Sequence, residues 1–270
     1  MLNMVFRLGF LILIGAAALA CSIGFKKYVW FISIGYGLSI AAIGLCLPIV
    51  YHSNLDAAKI IACVLLFGYG LRLGGYLLFR ELKSSTYNKK MKGEISDGSH
   101  MTLPIKIVLW LSCVLLYFTM TSPIVYRIAD GTGSDTCFII GLVIMLCGIL
   151  LESAADFQKS KAKKKNPRRF CDEGLFKIVR CPNYFGELLI WTGVFVSGFT
   201  ALQSAGQWIV AVIGYLGIVY VMFSGARRLE IRQDKFYGSD PEYQKYVKST
   251  PIILPLIPLY SVKKHKWLVG

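Results

Sequence analysis

Several kinds of organisation are missing from this chain. Its eight cysteines are scattered, most of them inside apolar runs, and no two are spaced Cys-x-x-Cys. That excludes a zinc site of ribbon type and a disulfide framework, and leaves the thiols as small apolar fillers. No Gly-x-Gly-x-x-Gly follows a strand and no Walker-type loop occurs, so a bound nucleotide has to be held by helices rather than by a Rossmann sheet. Strand-like alternation of useful length is absent, as is any repeat of 20 to 50 residues, and no stretch reads as a soluble domain. Acidic residues are scarce as well: 15 Asp and Glu stand against 30 Lys and Arg, for a formal net charge of +15.

What is present is apolar mass. Hydrophobic residues make up 55% of the chain and the mean hydropathy is +0.57. Runs long enough to cross a bilayer occur over Met4–Phe25, Tyr28–Tyr51, Ile60–Phe79, Leu103–Tyr126, Thr136–Ser153, Tyr184–Thr200 and Trp208–Ser224. The sixth is short, with Gly and Ser at its far end. The first resembles a signal peptide, with Arg7 ahead of an apolar run, but it is long for one and Lys26 and Lys27 read as a stop. The basic residues follow alternate spans: Lys26 and Lys27; Arg80, Lys83, Lys89, Lys90 and Lys92; Lys159 to Arg169; and Arg227, Arg228, Arg232 and Lys235. The other connections carry little more than Lys59 and Arg127. Basic loops remain in the cytoplasm. The expected fold is therefore an all-α polytopic membrane protein of about seven transmembrane helices, with the N-terminus outside and the C-terminus cytoplasmic. A bacterial plasma membrane and an endoplasmic reticulum membrane fit equally. Lys-rich loops beside a bilayer orient helices and meet anionic lipid heads, so membrane lipids, not nucleic acid, are the expected partners.

Composition separates three regions: the apolar N-terminal helices over residues 1–150, a more basic and mixed segment over 151–260, and a basic tail over 261–270. The polar Lys83–His100 segment reads as a cytoplasmic loop. Residues 159–183 mix bases with Phe170, Leu175 and Phe176, which suggests a packed loop. Asp240-Pro241-Glu242 reads as a helix start, and the proline-rich Pro251–Leu259 run as a segment against the membrane face.

Ionisable groups within spans need a reason. Arg72 lies eight residues before Arg80, about 12 Å along a helix, and shares a face with Tyr69 and Tyr76. Four nearby glycines admit another backbone or a flat ligand. The competing reading is an Arg that snorkels to the interface between two tyrosines. Glu152, Asp156, Lys159 and Lys163 line one helix face, which fits a polar site or a salt-bridged helix leaving the lipid. Pro182 can begin a helix, with Asn183 and Glu187 on one face and Trp191 a turn deeper. A helix N-terminus favours a phosphate, and Arg180 stands just before it. Arg228, Arg232 and Lys235 share another face, and Arg forks match phosphate. Positive-inside orientation explains each cluster singly. Together they suit a polyanionic cofactor such as a phosphorylated dinucleotide.

Those residues carry a resemblance. Glu152, then Ala155-Asp156-Phe157-Gln158-Lys159, then Gly174-Leu175-Phe176, then Arg180-Cys181-Pro182-Asn183-Tyr184-Phe185-Gly186-Glu187, and finally Arg227-Arg228-Leu229-Glu230 with Tyr243 and Tyr246, resemble the C-terminal domain of the steroid 5α-reductase family and its bacterial relatives. The match covers about the last 120 residues, with an echo around Arg72. It implies a seven-helix reductase, expected as a monomer, with a substrate cavity in residues 1–150 and a cofactor-binding domain in 151–260, that uses NADPH to reduce a C=C bond conjugated to a ketone in a steroid or other hydrophobic lipid-like substrate. It further implies cofactor contacts at Asp156, Arg169, Arg180, Asn183, Glu187 and Arg228, beside which Lys159, Tyr184 and Arg232 are further candidates, and a ketone-donor role for Tyr69, with the nearby Arg72 as a second candidate catalytic residue; no metal is implied. Two departures stand out. Cys181 replaces the motif's His, and Tyr28–Tyr51 lacks the carboxylate that the steroid reductases carry in span two. The alternative is an S-adenosylmethionine-dependent membrane methyltransferase of the isoprenylcysteine or phospholipid type, which shares the Arg-x-Pro-x-Tyr region.

Overall fold

The computed structural model describes residues 2–83 and 101–269, and these form helices joined by turns, with no strand among them. The helices are α1 (Leu2–Cys21), α2 (Ile34–Val50), α3 (Ala57–Lys83), α4 (Leu103–Ala129), α5 (Thr136–Lys165), α6 (Pro182–Gly198), α7 (Ala205–Tyr237) and α8 (Pro241–Ser249). The segment expected as a cytoplasmic loop lies, from Ser84 to His100, outside the described residues.

Three of the acids stand at helix starts. The carboxylates of Asp56, Asp135 and Asp240 accept the backbone N–H of Lys59 (3.0 Å), Phe138 (2.8 Å) and Glu242 (2.9 Å), capping α3, α5 and α8. The expected start at Asp240-Pro241 is thus found.

Among the described residues six helical stretches are long and apolar enough to cross a membrane: Leu8–Phe25, Tyr28–Val50, Ala57–Leu82, Leu103–Ala129, Thr136–Lys165 and Ala205–Tyr237. The chain is an α-helical integral membrane protein. The remaining expected span falls on α6, whose 17 residues measure about 25 Å against a hydrocarbon core of ~30 Å. Helices α5 and α7 outrun the spans read from hydropathy, at 30 and 33 residues. Hydropathy marks where lipid ends, whereas a helix continues while its backbone bonds are made and its side chains tolerate water.

Two compact units result. One comprises Met1–Ile140 with Val194–Gly214, the other Gly141–Gly193 with Tyr215–Gly270.

In the first unit α2 and α3 cross in backbone contact. A Cβ on Gly37 would lie 2.5 Å from Gly74 N and 2.8 Å from Gly70 O, and one on Gly44 would lie 2.6 Å from Phe67 N. Only glycine permits that approach. Elsewhere in this unit the fully buried Arg127 has every arm of its guanidinium engaged: Nε donates to Ser197 O (3.0 Å), Nη1 and Nη2 meet Asp135 (3.3 Å each), and both Gly133 O and Thr200 accept from it.

In the second unit α5 and α6 cross in the same way. A Cβ on Gly148 would meet Ile190 N at 2.6 Å, and one on Gly186 would meet Glu152 N at 2.8 Å. Of residues 159–183, expected as a packed loop, 159–165 continue α5 and 182–183 begin α6; between them 166–169 are exposed, and the loop is packed from Phe170 onward, with Phe176, Val179 and Arg180 also buried. Phe170 is buried and rings from Tyr237, Tyr243 and Tyr246 lie 5.9, 5.3 and 5.4 Å from it. Gly174 adopts φ +58 against the Gln158 carboxamide, which accepts from Leu175 N at 2.9 Å. The chain end, read as a basic tail, is docked: Val262 and Leu268 are buried, and Arg227 donates to Lys263 O (3.1 Å) and Leu268 O (3.3 Å).

Candidate functional site

In the second unit the residues around the start of α6 gather polar groups in a buried setting. Arg180, 3% exposed, precedes Pro182 and is anchored through its backbone, with its N–H donating to Pro251 O (2.8 Å) and that of Cys181 to Ile252 O (2.9 Å). Its Nη2 donates to Glu230 Oε1 at 3.1 Å and to Tyr260 O. Glu230 is itself buried, and its other oxygen accepts from Val262 N (2.9 Å) and Lys263 N (3.1 Å). The ion pair therefore ties α7 and the chain end to the entrance of α6.

This pairing uses only part of the guanidinium. Nε and Nη1 of Arg180 are buried without a hydrogen-bond partner, as are Asn183 Oδ1 and Ser224 Oγ. Buried polar groups are normally satisfied, so two cationic N–H groups, an amide oxygen and a hydroxyl left open in one unit mark a place built for a ligand. The N–H groups and the first turn of α6 suit an anion. The amide oxygen suits a hydroxyl or amino group. A phosphorylated nucleotide offers both, and the residues present fit one.

Around this centre the structure brings together several residues singled out from the sequence. Tyr184 lies against α7 where Gly225 leaves room, with a Cβ there only 3.3 Å from its Oη. Glu187 is buried and accepts from Trp191 Nε1 at 3.2 Å. Glu152 faces Gly186. Lys159 and Asp156 are half-buried on α5. Lys159 stands close enough to Cys181 for its charge to favour the thiolate, yet burial dominates and pushes the Cys181 thiol up to about 12. The position held by His in the motif is thus a neutral, weak donor.

Other expected cofactor residues lie elsewhere in the unit. Arg228 and Arg232 are exposed, on the side of α7 opposite the buried Glu230. Arg169 is exposed and bridges Asp172 (2.8 Å) and Glu242 (2.5 Å), beside a shallow cleft. Lys163 donates to the Tyr237 hydroxyl at 2.9 Å. Sequence reading gave no role to Glu230 or Ser224. Glu230 had one available signal, a lone acid within the basic run from Arg227 to Lys235.

The other expected residues sit in the first unit. Tyr69 is 1% exposed, Arg72 and Tyr76 are half-buried on the same helix, and Arg80 lies over the Tyr76 ring at 5.7 Å. The Tyr69 hydroxyl is 2.9 Å from that of Tyr36 on α2. Of the four glycines flanking Arg72, Gly70 and Gly74 receive the α2 backbone, while Gly68 and Gly75 border open space.

A family model described as "Protein of unknown function (DUF1295)" matches residues 22–250. The chain belongs to that family. This DUF1295 protein is also 35% identical over 66 residues to "Steroid 5-alpha-reductase DET2" of Arabidopsis thaliana, covering 24% of this chain and 25% of the relative. It is 26% identical over 135 residues to "3-oxo-5-alpha-steroid 4-dehydrogenase 1" of Rattus norvegicus, covering 48% and 45%. A second DET2, of Gossypium hirsutum, is 27% identical over 127 residues, covering 44% and 42%. The chain thus matches less than half the length of these relatives. No solved structure matches it significantly. The likeness to steroid 5α-reductases read from the motifs is borne out by these similarities.

Proposed function

We propose that this protein is a membrane-embedded, NADPH-dependent reductase of a C=C bond conjugated to a ketone, acting on a steroid or another lipid-like substrate. The observation that carries the reading is the buried Arg180, with Nε and Nη1 open beside the first turn of α6. The names of the similar proteins agree with it. Arg180 and Lys159 would hold the phosphates; Asn183 and Glu187 would accept from ribose hydroxyls or the carboxamide. When bound, NADPH supplies a hydride to the β-carbon of the enone. Tyr69 would donate a hydrogen bond to the ketone oxygen and stabilise the negative charge that grows there. Arg72, three residues along α3, would favour that charge from the same helix face. The α carbon takes its proton from solvent or from the phenol, so that one hydride and one proton saturate the bond. The basic connections would face the cytoplasm, where NADPH is available.

Cofactor identification on detergent-purified protein tests the reading. A rise in melting temperature with NADPH and none with S-adenosylmethionine is the expected result, followed by NADPH oxidation with enones from a panel of ketosteroids and linear compounds. Stabilisation by S-adenosylmethionine alone would overturn it in favour of methyl transfer.

A further inference from the structure

We propose that Tyr36 is a positioning residue for Tyr69: it donates to the Tyr69 oxygen and so commits the Tyr69 proton to the substrate's carbonyl. This deepens the reductase reading and rests on it.

The proton count carries the argument. Each phenol has one proton to give and lone pairs to accept with. The 2.9 Å contact between the two hydroxyls uses one proton, and either oxygen can be the donor. A ketone oxygen accepts and cannot donate. When it lies against Tyr69, only the arrangement in which Tyr36 donates leaves Tyr69 a proton to offer. The two bonds then run in one direction and polarise each other, which strengthens the terminal donor.

The surroundings hold Tyr36 in place. Its residue is 6% exposed and its ring packs 5.1 Å from that of Tyr117 and 6.4 Å from that of Tyr69. Tyr117 is fixed in turn by a 2.7 Å bond to Phe31 O. The crossing of α2 and α3 is pinned at the glycines that immediately follow the two tyrosines, Gly37 and Gly70, whose backbones touch. Helix α2 carries no acidic or basic side chain. Of its hydroxyls, Ser39 is turned away to Ala17 O at 3.0 Å, so Tyr36 is the hydroxyl α2 offers to Tyr69.

The test uses full-length protein in detergent and a Δ4-3-ketosteroid labelled with 13C at its carbonyl. Tyr36→Phe keeps the ring and its stacking. We expect kcat to fall about tenfold, the size of one net hydrogen bond, with KM for the enone and NADPH affinity unchanged. The infrared carbonyl band of the bound enone should move back toward the free frequency, part of the way to its position in Tyr69→Phe. Tyr36→His, which retains a ring N–H donor, should recover part of the rate. Full kcat and an unmoved band in Tyr36→Phe, with Tyr69→Phe impaired, would overturn the role of Tyr36 and leave the reductase reading standing. A wild-type protein that reduces no enone and leaves the carbonyl band unshifted would overturn that reading, and this inference with it.

Discussion

In the first unit α2 and α3 cross where Gly37 meets the backbones of Gly70 and Gly74; in the second, α5 and α6 cross where Gly148 meets Ile190 and Gly186 meets Glu152. The device is the same, and what stands beside it differs. Next to the first crossing is a pair of neutral phenols, Tyr36 and Tyr69. Next to the second are buried charges, Glu152 and Glu187, with Arg180 and Glu230 closing the entrance to α6. Close packing in a membrane needs small residues because lipid exerts no hydrophobic force between helices. Once backbones touch, side chains one residue away are held at short range, and the chemistry is chosen there. Neutral hydroxyls suit an apolar ketone. A cation with open N–H groups suits a polyanion.

The largest effect should come from breaking the charged side of this comparison. Glu230→Ala leaves the Arg180 cation buried and removes the acceptor for Val262 N and Lys263 N. Removing one partner of a buried pair costs about 3–5 kcal/mol. We expect the melting temperature in detergent to fall steeply and the chain end to become sensitive to protease. Tyr36→Phe, in the first unit, should cost only about 1 kcal/mol and leave the chain end resistant.

Next in size is a separation of binding from chemistry. Arg180→Lys keeps a cation for Glu230 but loses the planar fork and its Nε donor. NADPH affinity, measured by titration, should weaken about tenfold, as for one charged hydrogen bond. Tyr69→Phe should leave that affinity intact and lower turnover by about 10²- to 10³-fold, the range for loss of a donor to a growing oxyanion. Weakened NADPH binding in Tyr69→Phe would remove the distinction between the two units.

Much of this was legible in the sequence because lipid imposes a simple code. Apolar runs located the helices, the order of basic segments pointed to a two-sided chain, and the residues from Arg180 to Glu187 formed a polar cluster at a helix start. The ends of α5 and α7 were not legible, since hydropathy changes at Ser153 and Ser224 while the helices run on to Lys165 and Tyr237. Nor were long-range pairings. Nothing local marks Glu230 as the partner of Arg180, 50 residues earlier, or Tyr36 as the partner of Tyr69. The glycines near Arg72 were seen, but which of them take a neighbouring backbone depends on the rotation of α3, and that is fixed by α2.

That rotation gives a sharper test at smaller amplitude. Gly68 and Gly70 lie two residues apart on α3. A Cβ at Gly68 meets nothing, whereas one at Gly70 collides with Ala41 N and Gly37 O. Gly68→Ala should stabilise by about 0.5–1 kcal/mol, the usual gain in a helix. Gly70→Ala should cost about 1–3 kcal/mol through overpacking and, by moving α2, should lower turnover as Tyr36→Phe does. Gly186→Ala should cost a similar amount while weakening NADPH binding instead. Equal melting temperatures for Gly68→Ala and Gly70→Ala would contradict the crossing described for the first unit.

The smallest effect is in pH, and there the two units should fail at opposite ends. In the first unit burial pushes the Asp135 carboxyl up, but hydrogen bonds from Thr200 and Phe138 N and the charge of Arg127 outweigh it and hold the group below the ordinary carboxylate range. Asp56 is held low in the same way, with burial opposed by bonds from Lys59 N and Ser134. A depressed folded value means stability that is present above the unfolded value near ~3.9 and is lost as pH falls through the folded one. In the second unit the 2.6 Å bond to Asp234 raises the Lys263 ammonium above its usual value. That contribution is complete below ~10.4 and is lost as pH climbs through the folded value. These groups are substantially exposed, so each is worth below ~1 kcal/mol. Melting in detergent should hold steady from neutral pH to about 5 and decline below about 4. Asp135→Asn should flatten the acid decline and leave the alkaline one, and Lys263→Met should do the reverse. If Asp135→Asn changed only the alkaline limb, the caps of the first unit would not be the source of its acid sensitivity.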